Sequence, residues 1–513
     1  MIRKIRLASG FFTVGIWTLL SKVLGFVRDI MIASAMGSGP MAQAFLIAFS
    51  LPNMFRRFFA EGAFNTAFVP MFSKKVEAGD NPQDFARKAF SGLASIVLVT
   101  VLIGQIFMPF LVLAMASGFA DDARFALTVD YGRIVFPYIL FISLAALLSG
   151  VLNAIGRFAA AAAAPVLLNI ILVSAMYLAA FMGWEIGTAL SWAVLLAGFA
   201  QMALVWWAAH KAGITLLPRR PRLSPDMKRL AIIALPAAMA GGVVQINLLV
   251  GRQVASYYDG AVAWLSYADR LYQLPLGVVG IAIGVVLLPD LSRKLRAGDD
   301  AGGNQSLNRA AEFSLALTLP SAVALMVIPT ALVSVLFQRG AFDAVDTTNT
   351  ALAVAIYGAG LPSFVLAKVL APLFFARENT KTPFRYALIS MIINAGLAIG
   401  LSPYIGFLAA AIGTTIAGWS MLLLLWLGSR KLGSAAAMDA RLKSKIPKII
   451  FASLFMGAAL LGAAYLIEPW LYGSPIRYAA LGALIVFGIL VYAAAILLTG
   501  ALRPADLKAM FRR

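Results

Sequence analysis

The sequence is poor in charge and contains no cysteine, and each shortage excludes a class of protein. Of 513 residues, 12% are charged and 61% are hydrophobic, whereas an average soluble domain carries about 25% charged residues. A soluble chain of this length would divide into domains joined by polar linkers, and the sequence has no such linkers. Without cysteine, the chain forms no disulfide, uses no thiol nucleophile and offers no thiolate to a metal.

The motifs of nucleotide, metal and prenyl-phosphate chemistry are also missing. No glycine-rich phosphate loop is followed by lysine, and no His/Glu cluster offers a metal site. The single histidine, His210, lies at a predicted helix end. No clustered carboxylates could hold the Mg²⁺ that a membrane enzyme acting on polyprenyl phosphates would need. The sequence therefore predicts a protein that is not an enzyme and that has no cofactor or metal.

Apolar runs of about 20–30 residues follow one another with short breaks, and about 20 residues suffice to span a bilayer. Backbone in lipid must satisfy its own hydrogen bonds, so these runs are predicted to be helices. The predicted fold class is all-α: a polytopic membrane protein with about fourteen transmembrane helices. The candidate spans are 9–35, 41–72, 89–117, 126–153, 160–182, 187–209, 230–256, 261–290, 312–337, 348–375, 384–401, 404–429, 447–467 and 477–499.

The distribution of basic residues predicts the orientation of these spans. The net charge of +20 could indicate nucleic acid, but the basic residues concentrate in alternate loops, as expected for a membrane protein. The intervening loops, counted with the first residue of the last span, carry only Arg124, Arg339 and Arg477. We therefore expect a multi-pass protein of the bacterial cytoplasmic (inner) membrane with both termini cytoplasmic and no nucleic-acid partner.

An internal repeat divides the chain. Three pairs of segments match at nearly one offset: 69–75 with 288–294 (219 residues), Pro137 and Asn169 with Pro362 and Asn394 (225), and the segments starting at Trp206 and Trp426 (220). Three ordered matches predict two parallel six-helix repeats plus two C-terminal helices. The predicted domains are an N-terminal lobe at 1–210, a C-terminal lobe at 211–430 and the two additional helices at 431–513.

Eight basic residues lie more than two residues inside the predicted spans, although each costs about 2.5–3.5 kcal/mol at the membrane centre. They are Lys22, Arg28, Arg56, Arg57, Arg133, Arg252, Arg270 and Lys368. Arg133 and Arg252 lie near outer span ends, where snorkelling accounts for them. Lys368, toward an inner end, is a possible secondary site residue whose role stays open.

Depth along the spans places several of these residues at similar levels. Arg28 and Asp29 lie about 10 Å from the outer end of span 1, and Asp269 and Arg270 lie about 13 Å from that of span 8. Lys22 lies near the midplane. The depths favour one shared cavity.

A polar face is predicted on span 2. Asn53, Arg57 and Glu61 are spaced four residues apart and so share one helix face, with Arg56 turned by about 100°. Pro52 just before them would open the helical hydrogen-bond ladder.

Two interpretations of these charges remain open. In one, Lys22, Arg28, Asn53, Arg56, Arg57 and Arg270 line a cavity with surplus positive charge, suited to a phosphate-bearing substrate. Asp29, Glu61 and Asp269 would then act as gating or ion-pair residues. In the other, the acids and bases form internal ion pairs that hold helices together.

The first two spans carry a recognisable signature. It consists of residues 21–29 (SKVLGFVRD), Ala44-Phe45 and residues 51–64 (LPNMFRRFFAEGAF), followed by residues 267–270 (YADR), 368–372 (KVLAP) and 381–383 (KTP). It resembles the MurJ (MviN) family of lipid II flippases in the multidrug/oligosaccharidyl-lipid/polysaccharide exporter superfamily. The resemblance covers nearly the whole chain.

The resemblance implies two six-helix lobes around a central cavity and a lipid-tail groove built with the last two helices. It implies alternating access that carries the disaccharide–pyrophosphate headgroup outward for peptidoglycan synthesis. Family cavity arginines match Lys22, Arg28, Arg56 and Arg270. The implied partners are lipid II, membrane lipids and, as further candidates, cell-wall synthesis enzymes. The alternatives are an exporter of another polyprenyl-linked sugar and a non-transporting scaffold for those enzymes.

The sequence departs from the family pattern at two positions. Lys22 stands where the family usually has arginine, which keeps the charge but loses the bidentate fork. Gln43 replaces a commonly acidic residue at the outer start of span 2, so a gating carboxylate is missing there.

Overall fold

The computed structural model describes residues 7–56, 63–217, 219–221, 224–282 and 288–502, and within these ranges every regular element is helical. The predicted all-α class is confirmed for this part of the chain. The helices group into two compact units, Met1–Ala263 and Trp264–Arg513.

Within the described ranges, the first unit contains ten α-helices and a 3-10 turn at Ser117–Phe119. The α-helices are α1 Leu7–Met36, α2 Pro40–Arg56, α3 Ala63–Ala78, α4 Pro82–Ile106, α5 Met108–Ala116, α6 Ala123–Val135, α7 Tyr138–Ala154, α8 Ala159–Met182, α9 Ile186–Lys211 and α10 Pro225–Ser256.

The second unit contains eleven α-helices within the described ranges. They are α11 Ala261–Ala282, which begins at the unit boundary, α12 Leu288–Arg296, α13 Asp300–Val327, α14 Pro329–Phe337, α15 Ala344–Leu370, α16 Pro372–Phe375, α17 Lys381–Ile405, α18 Leu408–Ser429, α19 Ala440–Leu466, α20 Glu468–Leu471 and α21 Arg477–Leu498.

Ten helical stretches of the described chain are long and apolar enough to cross a membrane. They correspond to predicted spans 3–6 and 9–14. The other four predicted spans fall on α1, on α2 with α3, on α10 and on α11. These helices carry most of the intramembrane bases or run into residues outside the described set, so the count of fourteen stays a prediction.

The helices recur at the offset that the sequence repeat predicts. Equivalent helices α8 and α17 begin 222 residues apart, at Ala159 and Lys381. Predicted spans 3 and 9 are both broken near one end, at Phe107 and at Ile328, and each break is followed by a short helix with proline in its first turn. A break in the same place in both copies indicates that the copies share a backbone design as well as a sequence pattern.

The scarce acidic residues begin many of the helices. A side-chain oxygen at the N-cap satisfies an otherwise orphaned backbone N–H, and a negative charge there also complements the helix dipole. The acidic caps are Asp122 of α6, Glu185 of α9, Asp299 of α13, Asp343 of α15 and Asp439 of α19.

The units do not coincide with the predicted lobes. Helix α10, the first helix of the predicted 211–430 lobe, packs against α3 and α5 within the first unit. Polar contacts secure this packing: Gln253 Nε2 of α10 donates to the carbonyls of Leu113 (2.8 Å) and Ala114 (2.7 Å) of α5. The lobe boundaries follow the sequence repeat and stay a prediction.

Helices α19 and α21 pack into the second unit. An apolar core joins Val323 of α13, Val335 of α14, Leu460 of α19 and Leu484 of α21. Leu471 of α20 completes the same core. The two C-terminal helices therefore share a core with α13 and α14.

Candidate substrate-binding site

The Arg28-Asp29 dipeptide of α1 is buried and forms an ion pair. Arg28 donates from Nε (2.9 Å) and Nη2 (2.6 Å) to Asp29 Oδ1. Its Nη1 donates to Asn169 Oδ1 of α8 at 2.9 Å. Asn169 Nδ2 in turn donates to the backbone carbonyl of Ser21 at 2.9 Å. All three nitrogens of the Arg28 guanidinium are therefore engaged, and the contact fixes α1 against α8.

This geometry satisfies the ion-pair interpretation for Arg28 and Asp29. A charge removed from water is tolerated when a counter-ion and hydrogen bonds meet it. The centroid of the Phe49 ring of α2 lies 5.9 Å from the guanidinium carbon of Arg28, so this ring also borders the ion pair. Three of the five N–H donors of the Arg28 guanidinium are therefore taken up by Asp29 and Asn169.

Lys22 has different surroundings, although it lies on the same helix. Its side chain is exposed, next to the exposed apolar side chains of Leu19 and Val23. A separation of six residues turns Lys22 and Arg28 onto different faces of α1. The two bases therefore do not form one cluster.

Part of the predicted polar face on α2 is described. Pro52 is buried inside the helix, and the half-buried Asn53 donates from Nδ2 to the carbonyl of Phe49 at 2.8 Å. Arg56 is half-buried at the last position of α2. Arg57 and Glu61 lie outside the described residues, so the predicted Asn53–Arg57–Glu61 face stays a prediction.

The second unit holds the remaining predicted site residues. Asp269 and Arg270 are half-buried in α11, and Asp269 accepts a hydrogen bond from Gln273 one turn later. Lys368 is exposed near the end of α15. Whether these residues share a cavity with those of the first unit stays a prediction.

Tyr272, three residues after Asp269 on α11, packs against two aromatic rings of α15. The ring of Tyr272 lies 5.2 Å from that of Tyr357 and 5.9 Å from that of Phe364, both on α15. These contacts fix the face of α11 that carries Tyr272 against α15.

The structure also shows a charged cluster around Arg124 that the sequence pattern did not predict. Arg124 is buried and bonds the N-cap residue Asp122 from Nε at 2.8 Å. Its Nη1 donates to Gln43 Oε1 of α2 at 3.1 Å and lies 3.2 Å from the exposed Asp259. The ring of Phe119 lies 4.4 Å away. Asp122, the N-cap residue of α6, also neutralises this buried arginine.

The Arg124 cluster also shows what Gln43 does in place of the family's acid. Gln43 is buried, accepts from Arg124 and donates from Nε2 to the carbonyl of Ser38 at 3.0 Å. Since Asp122 and Asp259 already supply negative charge to Arg124, the amide completes the cluster without a third carboxylate. The hydrogen bonds from Arg124 lower the pKa of Asp122 below its usual range.

A second cluster, also unpredicted, surrounds Glu312 of α13. This buried carboxylate accepts from Arg441 Nη2 at 3.0 Å and lies 3.1 Å from the buried Lys445, both on α19. Arg309 bridges Glu312 to Asp439, the N-cap residue of α19. The signal in the sequence was an acid at the start of span 9, with basic residues in the segment before span 13.

Within the described residues, no group of three or more His, Cys, Asp or Glu side chains is placed to hold a metal ion. The chemistry that the described site residues offer is electrostatic. Guanidinium groups pair with carboxylates, and the amide oxygens of Asn169 and Gln43 accept hydrogen bonds from Arg28 and Arg124.

Comparison with solved structures defines the class of protein. The chain is similar in fold to an inward-facing multidrug resistance MATE family transporter of the MOP superfamily, with a TM-score of 0.68, over 82% of this chain and 96% of that one. At 16% identity this likeness shows the fold alone. The chain therefore shares the helical fold of that structure.

The family follows from closer relatives. Residues 32–481 match the family model "Lipid II flippase MurJ". The probable lipid II flippase MurJ of Rhizobium tropici is 44% identical over 496 residues, 95% of this chain and 93% of that protein. A structure of lipid II flippase MurJ in an inward closed conformation has a TM-score of 0.78 at 27% identity, over 94% of this chain and 97% of that one. The chain belongs to the lipid II flippase MurJ family, which confirms the predicted resemblance.

Proposed function

We propose that this protein flips lipid II from the cytoplasmic to the outer leaflet of the bacterial cytoplasmic membrane, by alternating access and without changing a covalent bond. Family membership over nearly the whole chain carries the proposal. The charged residues of the predicted site agree with it, because a pyrophosphate needs forked cationic donors that a cavity for cationic drugs would lack.

In this proposal the pyrophosphate headgroup is bound by Lys22, Arg28, Arg56, Arg57 and Arg270, with Asn53 as an uncharged donor. Asp29, Glu61 and Asp269 act as gating or ion-pair residues, and Lys368 is a secondary contact. Arg28 already has Asp29 and Asn169 as acceptors at 2.6–2.9 Å. Substrate oxygens would replace these acceptors, so that binding of the headgroup breaks the contact between α1 and α8.

We further propose that both termini are cytoplasmic and that cell-wall synthesis enzymes are partners. The absence of cysteine makes the orientation testable by single-cysteine labelling. Ser474→Cys, between α20 and α21, should react with an impermeant maleimide on intact cells. Lys443→Cys, at the start of α19, should react only after the cells are opened. The reverse pattern would contradict the orientation.

Binding of lipid II to the purified full-length chain tests the site. Losing a hydrogen bond from a charged donor costs about 1.5–3 kcal/mol, so Arg270→Ala should weaken lipid II binding roughly 10- to 100-fold. Arg133→Ala is the matched control, because Arg133 is an exposed arginine outside the predicted site. Equal affinity of Arg270→Ala and wild type would contradict the assignment. Tighter binding of another undecaprenyl-linked sugar would favour a related exporter.

A further inference from the structure

Two arginines at one end of the second unit face the same aromatic ring. The guanidinium carbons of Arg339 and Arg477 lie 5.4 Å and 5.2 Å from the ring centroid of Tyr478. Both distances are within cation–π range. These are two of the only three basic residues in the predicted outer loops, and residues far apart in the sequence are thus brought together.

Backbone contacts hold both arginines in place. Arg339 follows the end of α14, and its Nη2 donates to the carbonyls of Val335, at 3.2 Å, and Leu336. Arg477 is the first residue of α21, and its Nη1 donates to the carbonyl of Gln338 at 3.3 Å. The apolar core shared by α14 and α21 forms the base beneath them.

The electrostatics of the pair are unbalanced. Neither guanidinium pairs with a carboxylate among the residues that the structure describes, and Arg339 Nε is buried without an acceptor there. Burial lowers the pKa of Arg339; Tyr478 opposes this shift and the neighbouring charge of Arg477 adds to it. Arg477 also lies at a helix N-terminus, where the dipole favours an anion and not a cation. A bound anion would correct all three features.

Aromatic side chains indicate the depth of this site. Trp470, Tyr472 and Tyr478 are exposed around α20 and the start of α21, together with Tyr465 near the end of α19. Exposed tryptophan and tyrosine concentrate at the membrane–water interface, at the level of the lipid headgroups. The anion most abundant at that level is the phosphate of a phospholipid.

We propose that Arg339 and Arg477 bind the phosphate of a membrane phospholipid, with Tyr478 packed between the two guanidinium groups. Paired guanidinium forks match the geometry of phosphate oxygens. That the phospholipid belongs to the outer leaflet rests on the proposed orientation. The binding itself is independent of lipid II transport.

Native mass spectrometry of the full-length chain in detergent, titrated with phosphatidylglycerol, tests the site. Arg339→Gln and Arg477→Gln should each weaken the tightest-bound phosphatidylglycerol about tenfold, the effect of one charged hydrogen bond. The double variant should lose little more than either single variant, since both side chains bind one phosphate. Arg133→Gln, which removes an exposed arginine from α6, should leave that lipid bound. Unchanged binding in both single variants, or equal loss in Arg133→Gln, would overturn the proposal.

Two further measurements separate the alternatives. Diacylglycerol, which lacks the phosphate, should not occupy the site, and millimolar inorganic phosphate should not displace the lipid. Displacement by inorganic phosphate would make this a site for soluble anions and would contradict the lipid assignment. If a variant fails to fold, a photoactivatable phosphatidylglycerol headgroup should crosslink to the wild-type chain at Tyr478. Crosslinks elsewhere only would also refute the site. None of these outcomes bears on lipid II export, which fails or holds separately.

Discussion

At the scale of single residues, the buried charges of the first unit are met by specific partners. Arg28 is met by Asp29 and Asn169, and Arg124 is met by Asp122 and Gln43. Desolvating an arginine costs several kcal/mol unless a counter-ion and hydrogen bonds replace the lost water. These contacts account for the burial of charge in a largely apolar chain.

The Asn169–Arg28 hydrogen bond can be tested without removing a charge. Asn169→Leu deprives Arg28 Nη1 of its acceptor and leaves a buried charged donor unsatisfied. We expect a loss of about 1–3 kcal/mol in the free energy of unfolding, measured by thermal unfolding of the detergent-solubilised protein. Asn153→Leu is the matched control, because Asn153 is exposed. Equal unfolding midpoints for the two variants would show that the contact contributes little.

The Arg124 cluster predicts a dependence on pH. Arg124 lowers the pKa of Asp122 in the folded protein, so this pair stabilises the fold above the usual carboxyl range. The stabilisation is lost as the pH falls through the lowered, folded-state pKa. Asp122→Asn should reduce the free energy of unfolding by about 1 kcal/mol near neutral pH. This value is small because Asp122 is partly exposed and water screens the pair. The variant should also lose less stability than the wild type as the pH falls.

The matched control for that prediction is Asp259→Asn. The side chain of Asp259 is 94% exposed and lies 3.2 Å from the same guanidinium, so water screens its interaction. We expect its profile to follow the wild type. An Asp259→Asn effect as large as that of Asp122→Asn would mean that burial does not decide the strength of these pairs.

The sequence indicated which residues carry charge in the membrane but not which partners they contact. Arg28-Asp29 could be read as a cavity wall or as an ion pair, and only the position of Asn169 on α8 shows that its donors are engaged. The sequence placed Arg124 in a loop. Its burial could not be predicted, because it depends on the packing of α2 beside α6. Contacts between helices distant in sequence leave no local pattern to read.

At the scale of elements, the Glu312 cluster joins α13 to α19. Glu312→Gln would leave Arg309, Arg441 and Lys445 facing one another without their shared carboxylate. We expect the free energy of unfolding to fall by an amount near the lower end of about 3–5 kcal/mol, since Arg441 is partly exposed. Faster proteolysis between α18 and α19, together with a lower unfolding midpoint, would report it.

A matched control lies on the same helix as Glu312. Asp300 pairs with Arg377 at 2.9 Å, but its side chain is 57% exposed. Asp300→Asn should therefore change stability by about 0–1 kcal/mol. If Asp300→Asn and Glu312→Gln proved equally mild, α19 would be held by its apolar core alone.

The junction of α5 with α10 predicts a steric effect. A Cβ at Gly118 would lie 2.5 Å from the backbone carbonyl carbon of Ser256, where no flexible side chain can move aside. Gly118→Ala should therefore separate the two elements and lower the unfolding midpoint. Gly92→Ala, on α4 with open space around its Cβ position, should be neutral or slightly stabilising. A neutral Gly118→Ala would contradict the close approach.

The hydropathy of the sequence predicted that the helices exist, but it did not predict where they break. The apolar runs predicted spans 3 and 9 as single helices, but the structure breaks them at Phe107 and Ile328. Proline in each run was visible in the sequence. Proline is compatible with an uninterrupted helix elsewhere in this chain, as Pro362 within α15 shows, so the sequence alone does not decide between a break and a continuous helix.

At the scale of the whole molecule, the repeat and the motif block of the first two spans predicted the family that the comparisons show. The offset of about 220 residues is visible both in the sequence and in the order of the helices. We attribute this to the packing of each repeat, in which equivalent helices must bury equivalent apolar faces. The association of α10 with the first unit was not predictable from that offset, since it depends on contacts such as those of Gln253.

The sidedness of lipid II in cells depleted of this protein tests the central claim most directly. An external reagent that cleaves only outward-facing lipid II reports the fraction exposed. We expect lipid II to accumulate in a protected state on depletion, and wild type but not Arg270→Ala to restore its exposure. Unchanged exposure on depletion, in cells with no second flippase, would contradict the account and show that lipid II is not the cargo.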